Sequence, residues 1–327
     1  MKYICFDLEG PLTPQDNAYE LMRRLPQGDR LFQVISRYDD LLALEERPAY
    51  EAGDTLALIV PFLVHHGMQE GDITRMAEIA PLVDGAQELI DRLKASGWPV
   101  FCITTSYRQF ALTMTQRLAI PGPRVAATDF PLGELRRRWS RPLGQAVERV
   151  EKEVEALQAE GDDETIKRSL DRFFWEELPS LGWIVGLVQP VGGQRKVAAL
   201  EAFAAAHQPD LGQWVAVGDS ITDARMLQRV RDASGLAVAF NANQYALPRA
   251  TVGLASTNIL DLEPVLSAWN KGGRGEVEEA VGRWEKVGGE GGRRHYHWLL
   301  GRRDLAKPLV IHARLRRQVR QEAGRLG

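Results

Sequence analysis

The chain opens Met1-Lys2-Tyr3-Ile4-Cys5-Phe6-Asp7-Leu8-Glu9-Gly10-Pro11-Leu12-Thr13, and the reading of this stretch decides the fold. Residues 3–6 form a short apolar run that stops at a carboxylate, the pattern of a strand buried on both faces with a polar carboxyl end. Asp7 and Glu9 stand two residues apart, so in extended backbone both side chains face the same way. Gly10 and Pro11 then force a turn. Working outward, residues 99–103, 214–217, 236–240 and 252–254 read as further buried strands. Amphipathic stretches at 85–95, 109–118, 196–207 and 223–229 alternate with them as helices. This alternation predicts an α/β chain with a doubly wound, Rossmann-like parallel sheet as its core.

Two stretches are too long for ordinary connections and read as insertions. Residues 15–84 look helical, with turn signals at Pro26-Gln27-Gly28-Asp29 and Gly53-Asp54. Residues 131–189 open with Arg136-Arg137-Arg138 and continue through one charged helix, VERVEKEVEALQAEGDDETIKRSLDRFFWEEL. Its apolar positions Val147, Val150, Val154 and Leu157 keep a helical spacing, which predicts a face packed on the body in preference to a coiled-coil surface. Beyond Trp269 the pieces NKGGRG and VGGEGG read as linker around a short helical stretch.

At 327 residues and 44% hydrophobic content, the chain is long enough for about two domains and a well-buried core. Only 2 Cys are present, which excludes a disulfide framework, a four-thiolate iron–sulfur cluster and a Cys-rich zinc site. Cys5 and Cys102 lie in apolar runs and are expected as buried thiols on neighbouring strands. The longest apolar run, residues 55–64, is interrupted by Pro61 and falls short of the ~20 residues that span a bilayer. With no signal-peptide h-region at the start, the expectation is a soluble, cytoplasmic protein. The net charge of −3 conceals an asymmetry: residues 293–327 carry +8, and the rest carries −11.

In doubly wound sheets ligands bind at the carboxyl ends of strands. Asp7 and Glu9 follow the first strand, and Thr104, Thr105 and Ser106 follow the second. Gly192-Gly193-Gln194-Arg195-Lys196 is a Gly-rich turn that delivers a lysine at a helix start. Gly218-Asp219-Ser220-Ile221-Thr222-Asp223 sets two more carboxylates past a strand. Hard oxygen ligands, a hydroxyl and a lysine suit Mg²⁺ and a phosphoryl group.

The order and spacing of these four elements closely resemble the haloacid dehalogenase-like superfamily of aspartyl-phosphate phosphatases, over residues 1–130 and 190–265. The resemblance implies a phosphoric monoester hydrolase with Mg²⁺ as cofactor. Asp7 would be the nucleophile, Glu9 the general acid and base, Thr104 a phosphoryl ligand and Lys196 the neutralising cation. Thr105 and Ser106 would join the substrate site. Asp7, Asp219, Asp223 and the Glu9 backbone carbonyl would hold the metal. The superfamily usually has Asp where this chain has Glu9, and a displacement of ~1 Å can cost about 100-fold in rate. Some phosphoserine phosphatase relatives that are also phosphotransferases share the DxE pattern, so catalysis is expected to persist.

The finer resemblance is to the phosphoserine phosphatase-like branch, whose helical cap is inserted soon after the first motif. It implies core at 1–14, 85–130 and 190–268, a cap at 15–84, a second insertion at 131–189, and a linker with a basic tail at 269–327. In that branch an acidic residue nine positions past the nucleophile contacts the substrate amino group. Asp16 has this spacing and equally suits the N-cap of NAYELMRRL, so both roles stay open. The stretches DLEGPLTPQDNAYEL, ISRYDD and RPAYEAGDTLALIVPFL resemble an uncharacterised, largely archaeal group labelled energy-converting hydrogenase A subunit R.

His65-His66 has no third metal ligand at a suitable spacing and reads as structural. Arg37, Tyr38, Asp39 and Asp40 would line the cap or form a solvated turn, and Arg108 would reach phosphate or pair on its helix. The basic tail carries no nucleic-acid fold signature and is expected to dock on the acidic body or a protein partner, as is the 131–189 insertion. The expected activity is hydrolysis of a small phosphorylated metabolite. The alternatives are phosphotransfer through the same intermediate and a noncatalytic assembly or regulatory subunit that keeps the fold.

Overall fold

The structure is a computed structural model that describes residues 2–45, 47, 50–156, 162–287 and 292–321. Its sheet contains β1 (Tyr3–Phe6), β2 (Val100–Tyr107), β3 (Val125–Thr128), β4 (Trp214–Gly218), β5 (Leu236–Phe240), β6 (Val252–Ser256) and β7 (Arg294–Trp298). The spatial order is β3-β2-β1-β4-β5-β6-β7. Strands β1 to β6 are parallel, and β7 joins β6 antiparallel. The chain builds outward from β1 to β3 and then returns to β4 on the other side of β1. The topological switch point therefore lies between β1 and β4, where the loops bearing Asp7 and Asp219 leave the sheet.

Side-chain alternation explains the two helical layers. Ile4, Phe6, Val100 and Cys102 face the helices Ala86–Ala95, Arg108–Arg117 and Glu263–Val287. Tyr3, Cys5, Phe101 and Ile103 face Gly193–His207 and Ala224–Asp232. The α/β, doubly wound expectation holds. Cys5 pairs in register with Phe101, and Phe6 with Cys102, so the two buried free thiols point to opposite faces of neighbouring strands.

The 15–84 stretch is helical, with Gly28–Leu44 as its longest element. It packs against the 131–189 stretch: the Tyr38 hydroxyl donates to Asp171 Oδ1 at 2.6 Å, and Phe62 meets Phe173 at a ring separation of 5.8 Å. Val147, Val150 and Val154 are buried, as their spacing predicts, and Leu157 lies outside the described residues. The expected single charged helix is two, Arg141–Ala156 and Asp163–Asp171, the latter running on into a wider turn at Arg172–Glu177. Asp162 starts the second by accepting a hydrogen bond from the Glu164 N–H, a capping choice that overrides continuous helical spacing.

The C-terminal region differs most from expectation. Of the two pieces expected as linker, NKGGRG belongs to the helix Glu263–Val287, kinked at Gly272 and Gly273, where φ reaches +64° at Gly273, whereas residues 288–291 of VGGEGG lie outside the described residues. Val277, Ala280 and Val281 are buried there, and this apolar face outweighs the helix-breaking glycines. The strand β7 is hidden by its polar sequence RHYHW, and β3 by its brevity after Pro121-Gly122-Pro123. The helix Ala306–Arg320 then packs on β6 through Ile311 and Leu315 against Ala255. Gly253 lets His312 approach the strand, since a Cβ there would lie 2.9 Å from Nε2. His312 Nδ1 accepts from the Ala242 N–H at 2.9 Å. The basic tail thus docks on its own body, and apolar burial as well as charge holds it. No helix among the described residues is long and apolar enough to cross a membrane. Because Leu315 is fully buried, Leu315→Ala should cost ~2–5 kcal/mol in urea unfolding; a loosely attached tail would show no loss.

Candidate active site

Asp7 leaves β1 with its N–H donating to Val217 O at 2.8 Å, so the first residue after the strand stays tied to β4. Its Oδ1 accepts from the Leu8 N–H at 2.7 Å and from Lys196 Nζ at 2.9 Å, which pins the carboxylate through one oxygen. Lys196 reaches it from the first turn of the helix Gly193–His207 and also donates to Asp223 Oδ1 at 2.7 Å. Asp223 Oδ2 accepts from the N–H groups of Asp219 and Ser220 at 3.0 and 3.1 Å, folding the loop after β4 back on itself. Two glycines make this convergence sterically allowed. Gly10 has φ +94°, and a Cβ there would lie 2.4 Å from the Asp219 carboxylate; a Cβ on Gly218 would lie 2.5 Å from Asp223.

Asp7, Asp219 and Asp223 are all buried, and each offers an oxygen within 4.8 Å of the others. Burial, then the Asp223 charge, pushes the Asp7 carboxyl well above its ordinary value, against the pull of Lys196. Burial alone would lower the Lys196 pKa, but Asp223 and Asp7 outweigh it and hold the ammonium charged. Three hard donors in a crowded acidic cluster fit a divalent cation such as Mg²⁺. The Glu9 side chain is outside this cluster. Its Oε1 accepts from the Asn17 N–H at 3.0 Å and from the Ser106 hydroxyl, and burial followed by the Asp16 charge raises its pKa to about 7.

The hydroxyls after Ile103 divide their tasks. Thr104 Oγ1 accepts from the Ser106 N–H at 3.1 Å and donates to Ser106 Oγ at 3.2 Å, beneath Glu9, whereas Thr105 lines the cleft directly. Asp16 caps the helix Asn17–Met22 through the Tyr19 N–H at 2.9 Å, and it also lines the same cleft. The turn at Gly53 presses over the site, with its Cβ position 2.9 Å from the methyls of Thr105 and Thr222. Arg195 and Asp54 clamp that turn to the lysine-bearing helix start. Asp39 and Asp40 also line the cleft. Arg37 instead pairs with Asp163 at 2.6 Å, and Arg108 with Asp129 at 3.4 Å, both away from the carboxylates. His65 and His66 do gain a third neighbouring ligand type, Glu151, which pairs with His66 at 2.7 Å across the two insertions; spacing along the chain could not show this.

Sequence reasoning missed Arg316 and Arg320. Both enter the cleft from the C-terminal helix and both donate to Asp219 Oδ2. The usable signal was the four-residue spacing His312, Arg316, Arg320, which sets all three on one helical stripe.

Gly10→Ala should cost at least ~2 kcal/mol and displace Asp219, from its positive φ and the Cβ approach together, as read by urea unfolding. Added Mg²⁺ should stabilise the wild type by ~2.7 kcal/mol at 100 times its Kd, with the gain lost in Asp219→Asn, as read by thermal unfolding. Burial lifts Asp39 to about 7, so the folded state binds more protons than the unfolded one between the ordinary carboxylate range and neutrality. Its stabilising contribution should fall as pH rises through that window, and Asp39→Asn should flatten the slope of unfolding free energy against pH.

No family model and no curated protein matches the chain. Among solved structures, the product of gene AF1437 from Archaeoglobus fulgidus is 27% identical, with a TM-score of 0.84 over 100% of this chain and 99% of that one. A phosphoserine phosphatase in its apo form is 16% identical at a TM-score of 0.52, over 80% of this chain and 98% of that one. A phospho-aspartyl intermediate analogue of phosphoserine phosphatase is 17% identical at a TM-score of 0.53, over 80% and 97%. From the parallel sheet, its helical insertions and these likenesses, the chain shares the fold of the phosphoserine phosphatase structures it matches.

Proposed function

We propose that the chain is a Mg²⁺-dependent phosphatase that hydrolyses a small phosphomonoester through an aspartyl-phosphate on Asp7. The observation that carries this reading is the buried triad Asp7–Lys196–Asp223 with Asp219 beside it, at the switch point of the sheet. Mg²⁺ held by Asp7, Asp219 and Asp223 would supply charge compensation for the phosphoryl oxygens. Asp7 attacks phosphorus, and the ester P–O bond breaks as Glu9 gives its proton to the leaving oxygen. Glu9 then takes a proton from water, the water oxygen attacks phosphorus, and the Asp7 carboxylate is released with inorganic phosphate. A pKa near 7 lets Glu9 serve in both directions at neutral pH. Lys196 orients Asp7 and favours its ionised form against burial, and the Thr105 hydroxyl would donate to a phosphoryl oxygen, whereas Thr104, which donates to Ser106 Oγ beneath Glu9, would act through that contact and not on the phosphoryl group directly. Residues 15–84 act as the cap, whose turn at Gly53 excludes water from the cleft.

The intact acidic cluster and lysine weigh against a purely noncatalytic subunit. Phosphotransfer differs only in replacing water by a hydroxyl acceptor. The test is Mg²⁺-dependent phosphate release from an aryl phosphate and a metabolite panel. Wild type should turn over, Asp7→Asn should be inactive, and Glu9→Gln should lose ~10²–10⁴-fold. Equal rates in wild type and Asp7→Asn would refute the assignment.

A further inference from the structure

The far end of the chain places two guanidiniums inside the catalytic cleft. Arg316 and Arg320 line it together with Asp7, Glu9 and Asp16, and their side chains are only 5% and 6% exposed. Arg316 Nη1 donates to Asp219 Oδ2 and, at 3.3 Å, to the Asp219 carbonyl. Arg320 Nη1 donates to the same Oδ2 at 2.9 Å, and its Nε to Pro14 O at 3.3 Å. One carboxylate oxygen thus serves two cations, while Arg316 Nε is buried with no hydrogen-bond partner. The helix does not need these arginines for docking, since Ile311, Leu315 and His312 already seat it on β6.

Buried guanidiniums require charge partners and acceptors for their forked donors. Their one hydrogen-bonded carboxylate partner among the described residues, Asp219, is also one of the three that fit a divalent cation. When a cation takes Asp219, two positive side chains remain beside it with part of their compensation gone. Asp16, Glu9 and Asp7 still contribute negative charge nearby, but none of them accepts a hydrogen bond from either guanidinium, so the forked donors that Asp219 held are left to be met by a ligand anion. The free cleft volume is about 90 Å³, well below the ~300 Å³ at which small-molecule sites begin. The guanidiniums stand in the room that a ligand would need, where a ligand anion would take the place of Asp219 as their acceptor.

We infer that Arg316 and Arg320 form a second anion subsite, and that the substrate is a phosphomonoester bearing a further carboxylate or phosphate within reach of the C-terminal helix. The inference rests on the phosphatase reading of Asp7 for the first phosphate. Guanidinium binds carboxylate and phosphate alike through paired hydrogen bonds, which lysine cannot reproduce.

The experiment titrates the full-length chain in Mg²⁺ by calorimetry with ethylphosphonate, 3-phosphonopropionate and propane-1,3-diphosphonate, alongside Arg316→Gln, Arg320→Gln, the double variant and Arg320→Lys. Wild type should bind at least one of the difunctional probes ~30-fold more tightly than ethylphosphonate, a factor in the range of one or two charged hydrogen bonds. Whichever difunctional probe binds more tightly identifies the second group as carboxylate or phosphate. That preference should shrink below ~3-fold in the double variant and fall between the two in Arg320→Lys. Equal affinity of the wild type for all three probes would overturn the subsite, whether or not the variants fold. So would a preference that survives the double substitution, or variants that bind every probe more tightly by one common factor, the behaviour of a plug. If the difunctional preference holds while no phosphomonoester is turned over, the phosphatase reading fails and the subsite stands. Turnover without the preference leaves the phosphatase reading standing and removes the subsite.

Discussion

The structure depends on the neutralisation of buried carboxylates at one point. Lys196 Nζ lies between Asp7 and Asp223 with no solvent exposure, and Asp219 stands beside them carrying two guanidiniums. Carboxylates brought this close in a low-dielectric site repel one another, and each is costly to leave without a counter-charge. Three sources remote from one another supply the cations: the helix that begins at Gly193, the C-terminal helix, and, in the proposed working state, a divalent ion. The sheet topology makes this meeting unavoidable, because β1 and β4 are neighbours whose carboxyl ends carry the acids.

What closes over this point follows from contact between remote pieces. The 15–84 and 131–189 insertions share a core through Tyr38, Phe62, Phe173 and Phe174, so the first is braced by a second layer of helices. Its inner turn is tied to the lysine-bearing helix by Asp54 and Arg195. The opposite wall is the C-terminal helix, held on β6 by apolar contacts and by His312. The cleft is thus lined from the 15–84 stretch on one side and from the C-terminal helix on the other, and its shape depends on how both are seated.

Much of the core was legible because buried parallel strands have a local signature. Residues 3–6 and 236–240 appear as strands with the expected bounds, and each is an uninterrupted apolar run flanked by polar or Gly residues. Strand β7 was not legible: its histidines and Tyr296 are buried only because β6 lies beside them, which no local pattern encodes. The linker expectation failed for the same reason, since Val277 and Val281 reveal their role only against the core they join. In the site, the pairs Asp7, Glu9 and Asp219, Asp223 were visible from spacing after strands. The Ser106–Glu9 hydrogen bond and the entry of Arg316 and Arg320 were not, because each joins residues about a hundred positions apart.

By itself, the order of residues determined the strand–helix alternation, the acidic turns that end the strands, and the lysine at a helix start, all properties of short stretches governed by periodicity and turn chemistry. It also determined that a basic tail accompanies an acidic body. Only the tertiary structure decided where that charge goes. Docking the last helix against β6 fixes the direction of the stripe His312, Arg316, Arg320, and this direction, set by packing rather than by composition, aims two cations at Asp219.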